Sequence, residues 1–228
     1  MPPRLHPNMR VPPALVNVAA IPIAGAAMPA KGRFRLAGAW ELRADGRDFH
    51  SLSGLAFDPA GRLIAITDRG VMVTIPDPGR SGAAALAAIA WDGRGQRYGY
   101  DSEAIAIDAQ DRRWIAIEND NAVFRLAHGS QPSSFIRSPA MRGWTAMRGP
   151  ESLALLGDGR FLILGEGYDP GDAGTFPALV FPRDPTLGGK PWRFHLAIGR
   201  DYRPVEAASL ADGRVLVLGR WFGLPFRF

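Results

Sequence analysis

The chain has no cysteine, which excludes a disulfide scaffold, a thiolate zinc site and a cysteine nucleophile. Lysine is nearly absent, confined to Lys31 and Lys190, so the net charge of +5 and the pI of about 10.2 rest on arginine. The arginines stand singly and form no basic run, which leaves no electrostatic stripe for nucleic acid. The four histidines, His6, His50, His128 and His195, are widely spaced and show no HExxH pattern. GxSxG, P-loop and GxGxxG motifs are missing, which disfavours α/β-hydrolase and nucleotide-binding readings. No uninterrupted apolar run reaches the length of a membrane span, so no transmembrane helix is predicted.

What is present is an ordinary globular balance, 46% hydrophobic and 21% charged over 228 residues. Glycine and proline make up about a fifth of the chain, so many turns and few long helices are expected. Residues 1–31 read as an N-terminal leader or extended segment. Arg4 and Arg10 precede an apolar stretch from Val11 to Ala30 that loosely imitates a signal peptide, but Pro12, Pro13, Asn17 and Pro22 interrupt it. A periplasmic or secreted location is the expectation, with the cytoplasm as the alternative.

Four segments share one pattern: Ser53–Gly70, Ser102–Asp120, Pro150–Gly167 and Val205–Trp221. Each has an alternating apolar strand, a turn containing Gly or Asp and closing on an arginine, and a second apolar strand. The turn arginines are Arg62, Arg112, Arg160 and Arg214. Two-residue alternation with β-branched residues favours strands, and Asp-Gly turns favour hairpins. Aligned on Gly54, Glu103, Glu151 and Glu206, the unit recurs at roughly 50-residue intervals, the period of a four-stranded propeller blade. Outer strands are predicted at Val71–Ile75, Ala84–Trp91, Ala122–Leu126, Ser134–Arg137, Ala178–Phe181 and Trp192–Ile198, with a leading strand at Phe34–Leu42. The fold class is therefore all-β: a β-propeller over residues 32–228, with three full blades and part of a fourth, incomplete at the C-terminus. Open strand edges of such a chain invite a protein partner.

The repeat also carries charge at fixed places. First strands open with Glu103, Glu151 and Glu206, and second strands end at Asp68, Glu118, Glu166 and Arg220. In an out-and-back hairpin these positions lie at the same end. With the first strand innermost, Asp68, Glu103, Glu118, Glu151, Glu166 and Glu206 ring the mouth of a central channel, with Arg69 and Arg220 beside them. Packed carboxylates resist ionisation unless a cation neutralises them, and oxygen-only ligation favours Ca²⁺ or Mg²⁺ over zinc. The competing reading pairs these acids with the turn arginines or leaves them solvated at strand ends. Asp169 and Asp172 are read as turn residues rather than calcium ligands, and Asn119-Asp120-Asn121 as a hairpin turn.

The blocks LSGLAFDPAGRLIAITDRG, DSEAIAIDAQDRRWIAIEND, GPESLALLGDGRFLILGEG and YRPVEAASLADGRVLVLGR resemble the repeated blocks of bacterial phytase-like β-propeller proteins, labelled "esterase-like activity of phytase". The resemblance runs from about Phe34 to Arg220. It implies a propeller, exported, with calcium-dependent hydrolysis of phosphoesters or esters on a small anionic or ester substrate. In that reading one of Glu103, Glu151 or Glu166 supplies the base, Arg69 and Arg220 hold the anion, and the six carboxylates hold Ca²⁺. Family members continue into a further blade with Asn-Phe-Glu-Gly-like and Asp-Asp-Asn-like blocks, neither of which is found here. A gluconolactonase-like lactonase and a non-catalytic ligand- or protein-binding propeller are the alternatives.

Overall fold

A computed structural model describes residues 13–25, 35–46, 48–77, 79–89, 101–126, 132–145, 147–167 and 174–221. The described residues form sixteen strands and two single-turn 3₁₀ helices, Pro139–Met141 and Pro185–Leu187. Among them no helix is long and apolar enough to cross a membrane.

The strands group into four antiparallel sheets that follow the sequence repeat. Blade 1 runs β3 (Leu52–Phe57), β4 (Leu63–Thr67), β5 (Val71–Ile75) and β6 (Gly82–Ala88), and β1 (Ala14–Pro22) and β2 (Trp40–Ala44) add to its outer edge. Blade 2 is β7 (Ser102–Ile107), β8 (Arg113–Ile117), β9 (Ala122–Leu126) and β10 (Pro132–Ile136). Blade 3 is β11 (Pro150–Leu155), β12 (Phe161–Gly165), β13 (Thr175–Phe181) and β14 (Trp192–Ala197). Blade 4 contributes β15 (Tyr202–Ser209) and β16 (Val215–Trp221). The innermost strands β3, β7, β11 and β15 pack side by side in chain order, the arrangement of a β-propeller.

In blades 1 to 3 the second strand reads as an almost continuous apolar run because both of its faces are buried, whereas β16 alternates partly buried and exposed residues. Successive side chains point to opposite faces, so Ile115 and Ile117 enter the core between blades 1 and 2, while Trp114 and Ala116 enter the core between blades 2 and 3. In the same way Phe161 and Ile163 face blade 2, and Leu162 and Leu164 face blade 4. Asp184 ties blade 3 to the outer part of blade 2, accepting from Trp114 Nε1 at 2.9 Å and from Arg125 Nη1 at 2.8 Å.

All four hairpin turns share one backbone form. In each, the residue before the turn arginine has positive φ: Gly61, Asp111, Gly159 and Gly213. Its N–H donates three residues back, to Asp58, Asp108, Leu156 and Leu210. Glycine adopts this conformation without steric penalty and Asp tolerates it, which explains the Gly-or-Asp signature.

Several strand boundaries differ from the sequence reading. Ala14–Pro22, placed in the leader, is a strand paired with β6 and β2, because its alternating residues turn Val18 into the core of blade 1. The leading strand is Trp40–Ala44, and residues 35–39 carry no strand; Phe34 lies outside the described residues. The outer strand of blade 1 ends at Ala88, and Ala90 and Trp91 lie outside the described residues, as do His6, His128, Asp169 and Asp172.

Candidate functional site

The site arises from an irregularity common to the inner strands. Pairing between the first and second strand of every blade skips one residue: Ser53 in blade 1, Glu103 in blade 2, Glu151 in blade 3 and Val205 in blade 4. Such a bulge re-aims a side chain out of the ladder. The equivalent positions are therefore Ser53 and Val205 rather than Gly54 and Glu206, a one-residue correction to the sequence alignment. With it, the spacing to Asp68, Glu118, Glu166 and Arg220 becomes uniform through all four units.

Gly54 has a packing role. A Cβ there would meet Ala104 Cα at 2.7 Å and Ile105 N at 2.8 Å, so its absence lets β3 approach β7. Gly149 serves blade 3 similarly, since a Cβ would collide with the Glu118 carbonyl oxygen and Asn121 Oδ1.

A third ring position lies two residues before the bulge: Ser51, Asp101, Gly149 and Arg203. In the first three units its carbonyl accepts from the residue that ends the second strand: Asp68 N to Ser51 O at 3.1 Å, Glu118 N to Asp101 O at 2.8 Å, and Glu166 N to Gly149 O at 3.1 Å. These bonds fix both ends of each hairpin at one channel mouth. Ser51 adopts a positive φ of 51° to reach this position.

The ring positions surround a cavity of about 520 Å³. Its lining includes all six acids singled out from the sequence, Asp68, Glu103, Glu118, Glu151, Glu166 and Glu206, together with Arg220. Arg69 is exposed and is not part of the lining. Glu118, Glu151 and Glu166 are deeply buried, at 8%, 8% and 7% exposure. Asp68 accepts a hydrogen bond from Ser53 Oγ at 2.5 Å. The turn arginines are spent elsewhere, at the far ends of the hairpins. Arg62 pairs with Asp58 at 2.6 Å, Arg112 with Asp108 at 2.6 Å, Arg160 with Asp158 at 2.7 Å, and Arg214 with Asp212 at 2.6 Å.

Carboxylates packed this way hold on to protons. Burial, reinforced by the charges of Asp101, Glu118 and Asp68, pushes Glu103 up to about 8. Burial and Asp101 push Glu118 up to about 7, against the N–H of Gly149. Burial and the charges of Glu103, Glu166 and Glu118 push Glu151 up to about 9, with Arg220 opposing. Burial takes Glu206 to about 7, against the N–H groups of Ala207 and Leu55. Asp101 is raised by burial, with its side-chain hydrogen bonds to Glu103 and Glu118 opposing. Two cations sit on the fourth-blade side. Arg220 Nη2 lies 2.9 Å from Glu166 Oε1 and 3.9 Å from Glu151 Oε1, and Arg203 Nη1 lies 3.6 Å from Glu166 Oε2.

The donor set suits a hard cation. Oxygens of Asp101, Glu103 and Glu118 lie within 4.8 Å of one another, as do those of Glu118, Glu151 and Glu166. All donors are carboxylate oxygens, the chemistry of Ca²⁺ or Mg²⁺ sites. Asp101 and Arg203 escaped the sequence reading. Aligning the repeats on their turn arginines rather than on their acids would have exposed the column Ser51, Asp101, Gly149, Arg203.

Solved structures similar to this chain include a catalytically inactive virginiamycin B lyase from Staphylococcus aureus with quinupristin (14% identity, TM-score 0.48, covering 79% of this chain and 53% of that one). A streptogramin B lyase (11%, 0.46, 88% and 52%) and YCF48 from Cyanidioschyzon merolae (16%, 0.46, 80% and 55%) are others. The chain spans about half the length of each of these. No curated protein sequence matches it. The sequence profile described as phytase-like, "esterase-like activity of phytase", matches residues 47–228, and the chain belongs to that family.

Proposed function

We propose that the chain is a Ca²⁺-dependent hydrolase of esters or phosphoesters, acting at the acid-lined mouth of the propeller channel. The observation that carries this reading is the cavity itself: six carboxylates, three of them more than nine-tenths buried, face one lining arginine. So many acids in one desolvated place are costly unless a cation is taken up. Asp101, Glu103, Glu118, Glu151 and Glu166 are the residues that would hold it. A bound Ca²⁺ supplies charge neutralisation and polarises an ester or phosphoryl oxygen.

The chain's own residues do the rest. One of Glu103, Glu151 or Glu166 takes the proton of the attacking water. Arg220 holds an anionic group of the substrate at the cavity edge. Ser53 orients the Asp68 carboxylate through its 2.5 Å hydrogen bond.

The test is calcium titration together with turnover of p-nitrophenyl esters, p-nitrophenyl phosphate and a lactone panel. E103Q and E151Q are expected to lower calcium-dependent turnover by about 10²-fold or more. Retention of both metal binding and turnover in the two variants overturns the proposal. Turnover confined to the lactones moves the activity to a lactonase, and calcium binding without turnover moves it to a binding propeller.

A further inference from the structure

Comparing the units position by position shows that the fourth differs from the others in kind. Where blades 2 and 3 place Asp101 and Gly149, blade 4 places Arg203; where they place Glu103 and Glu151, it places Val205; where they place Glu118 and Glu166, it places Arg220. At these three positions the acids of blades 2 and 3 are thus replaced by an arginine or an apolar residue, and the carboxylate that blade 4 does bring to the cavity, Glu206, stands one residue past the bulge. Both arginines converge on one carboxylate, Glu166, Arg220 at 2.9 Å and Arg203 at 3.6 Å. They are not equivalent: the Arg203 side chain is only partly exposed, at 16%, while that of Arg220 is half exposed, at 53%, and lines the cavity.

From this we infer that the fourth blade forms the anion-holding wall of the cavity, in which Arg220 contacts one anionic group of the substrate and Arg203, behind it, is the positioning residue. The inference rests on the hydrolase reading for its substrate and goes beyond it in naming the wall, the positioning residue and the ligand class. With Arg203 also paired to Glu166, Arg220 can exchange that carboxylate for a ligand anion without leaving Glu166 a lone buried charge, which would be strongly unfavourable. Without Arg203, Arg220 becomes the cation that Glu166 depends on and is held back from the ligand. A guanidinium suits phosphoryl and carboxylate groups through paired N–H donors. One lining arginine among six acids admits a ligand with a single anionic group and repels a polyanion.

The experiment is calorimetric titration of the whole chain with methyl phosphate and, separately, with acetate, in calcium-loaded and calcium-free buffer. A binding isotherm for either probe is expected, and the tighter one identifies the group as phosphoryl or carboxylate. R220Q and R203Q are each expected to weaken binding about tenfold, the loss of a charge-assisted hydrogen bond. R203K is expected to stay within about threefold of the wild type, because a charge on Glu166 is all the positioning requires; this rescue separates positioning from a merely structural role. Folding of each variant is checked by its thermal melt. Failure of both probes to bind the wild type, or R203Q binding as tightly as the wild type while R220Q does not, overturns the inference. Anion binding that needs both arginines in a chain that binds no calcium leaves the anion wall standing and removes the metal reading instead.

Discussion

Glu103, Glu118, Glu151 and Glu206 bind their protons more tightly in the folded chain than in the unfolded one, with values of about 8, 7, 9 and 7 against an ordinary 4.5. Their contribution to stability is therefore fully present below pH about 4.5 and is lost as pH rises through about 7 to 9, because the folded state binds more protons across that window. In calcium-free buffer the melting temperature is expected to fall as pH is raised from 5 to 9. With saturating calcium the fall is expected to shrink, since the ion takes the place of the protons, and calcium affinity itself is expected to rise over the same window. Melts at several pH values with and without calcium check this, and a calcium-free melting temperature that climbs from pH 5 to 9 contradicts it. The residues behind these effects were legible in the sequence as a set of six acids, but their phase was not. The bulge skips one residue in each inner strand, which puts Val205 rather than Glu206 in the column of Glu103 and Glu151. Asp101 was passed over because it lies before the alternating pattern begins, where only its carbonyl bond to Glu118 N reveals its place.

At the scale of elements, the glycines between inner strands set how closely blades approach. G54A would press a methyl group onto the β7 backbone, where no side chain can move aside. A loss of about 1–3 kcal/mol is expected, the usual cost of overpacking. G149A would strike the Glu118 carbonyl and is expected to lower both stability and calcium affinity, since Glu118 belongs to both carboxylate triplets. G157A, where a Cβ meets nothing within 4 Å, serves as the control and is expected to change stability by less than about 0.5 kcal/mol. Chemical denaturation of the three variants checks the order, and G54A or G149A as stable as G157A would refute it. Hairpins were the most legible elements, because alternation and a Gly-or-Asp turn before arginine recur four times. The strand Ala14–Pro22 was hidden by its surroundings: prolines and small residues around an apolar stretch imitate a processed leader, while its partner β6 lies some 60 residues downstream. The position of Arg203 was equally hidden, since its significance is the convergence with Arg220 on a carboxylate from another blade.

For the whole molecule, the architecture follows from a repeat whose second strand is apolar on both faces, so that each blade needs a neighbour on either side. That requirement was visible in the sequence as four aligned segments, and family membership over residues 47–228 agrees with it. Stacking these units gathers their strand ends at one mouth and concentrates acid there, and the turn arginines cannot relieve it because they close salt bridges at the opposite end. The central claim is that this acid is a cation site. The most direct measurement is a thermal melt of the whole chain at pH 7.5 in excess calcium against EDTA. With calcium near 100 times its dissociation constant, binding to the folded state adds about 2.7 kcal/mol, which for a chain of this size raises the midpoint by about 5–10 °C. A rise of that size is the predicted result, and a cooperative melt with the same midpoint in both buffers would contradict the account.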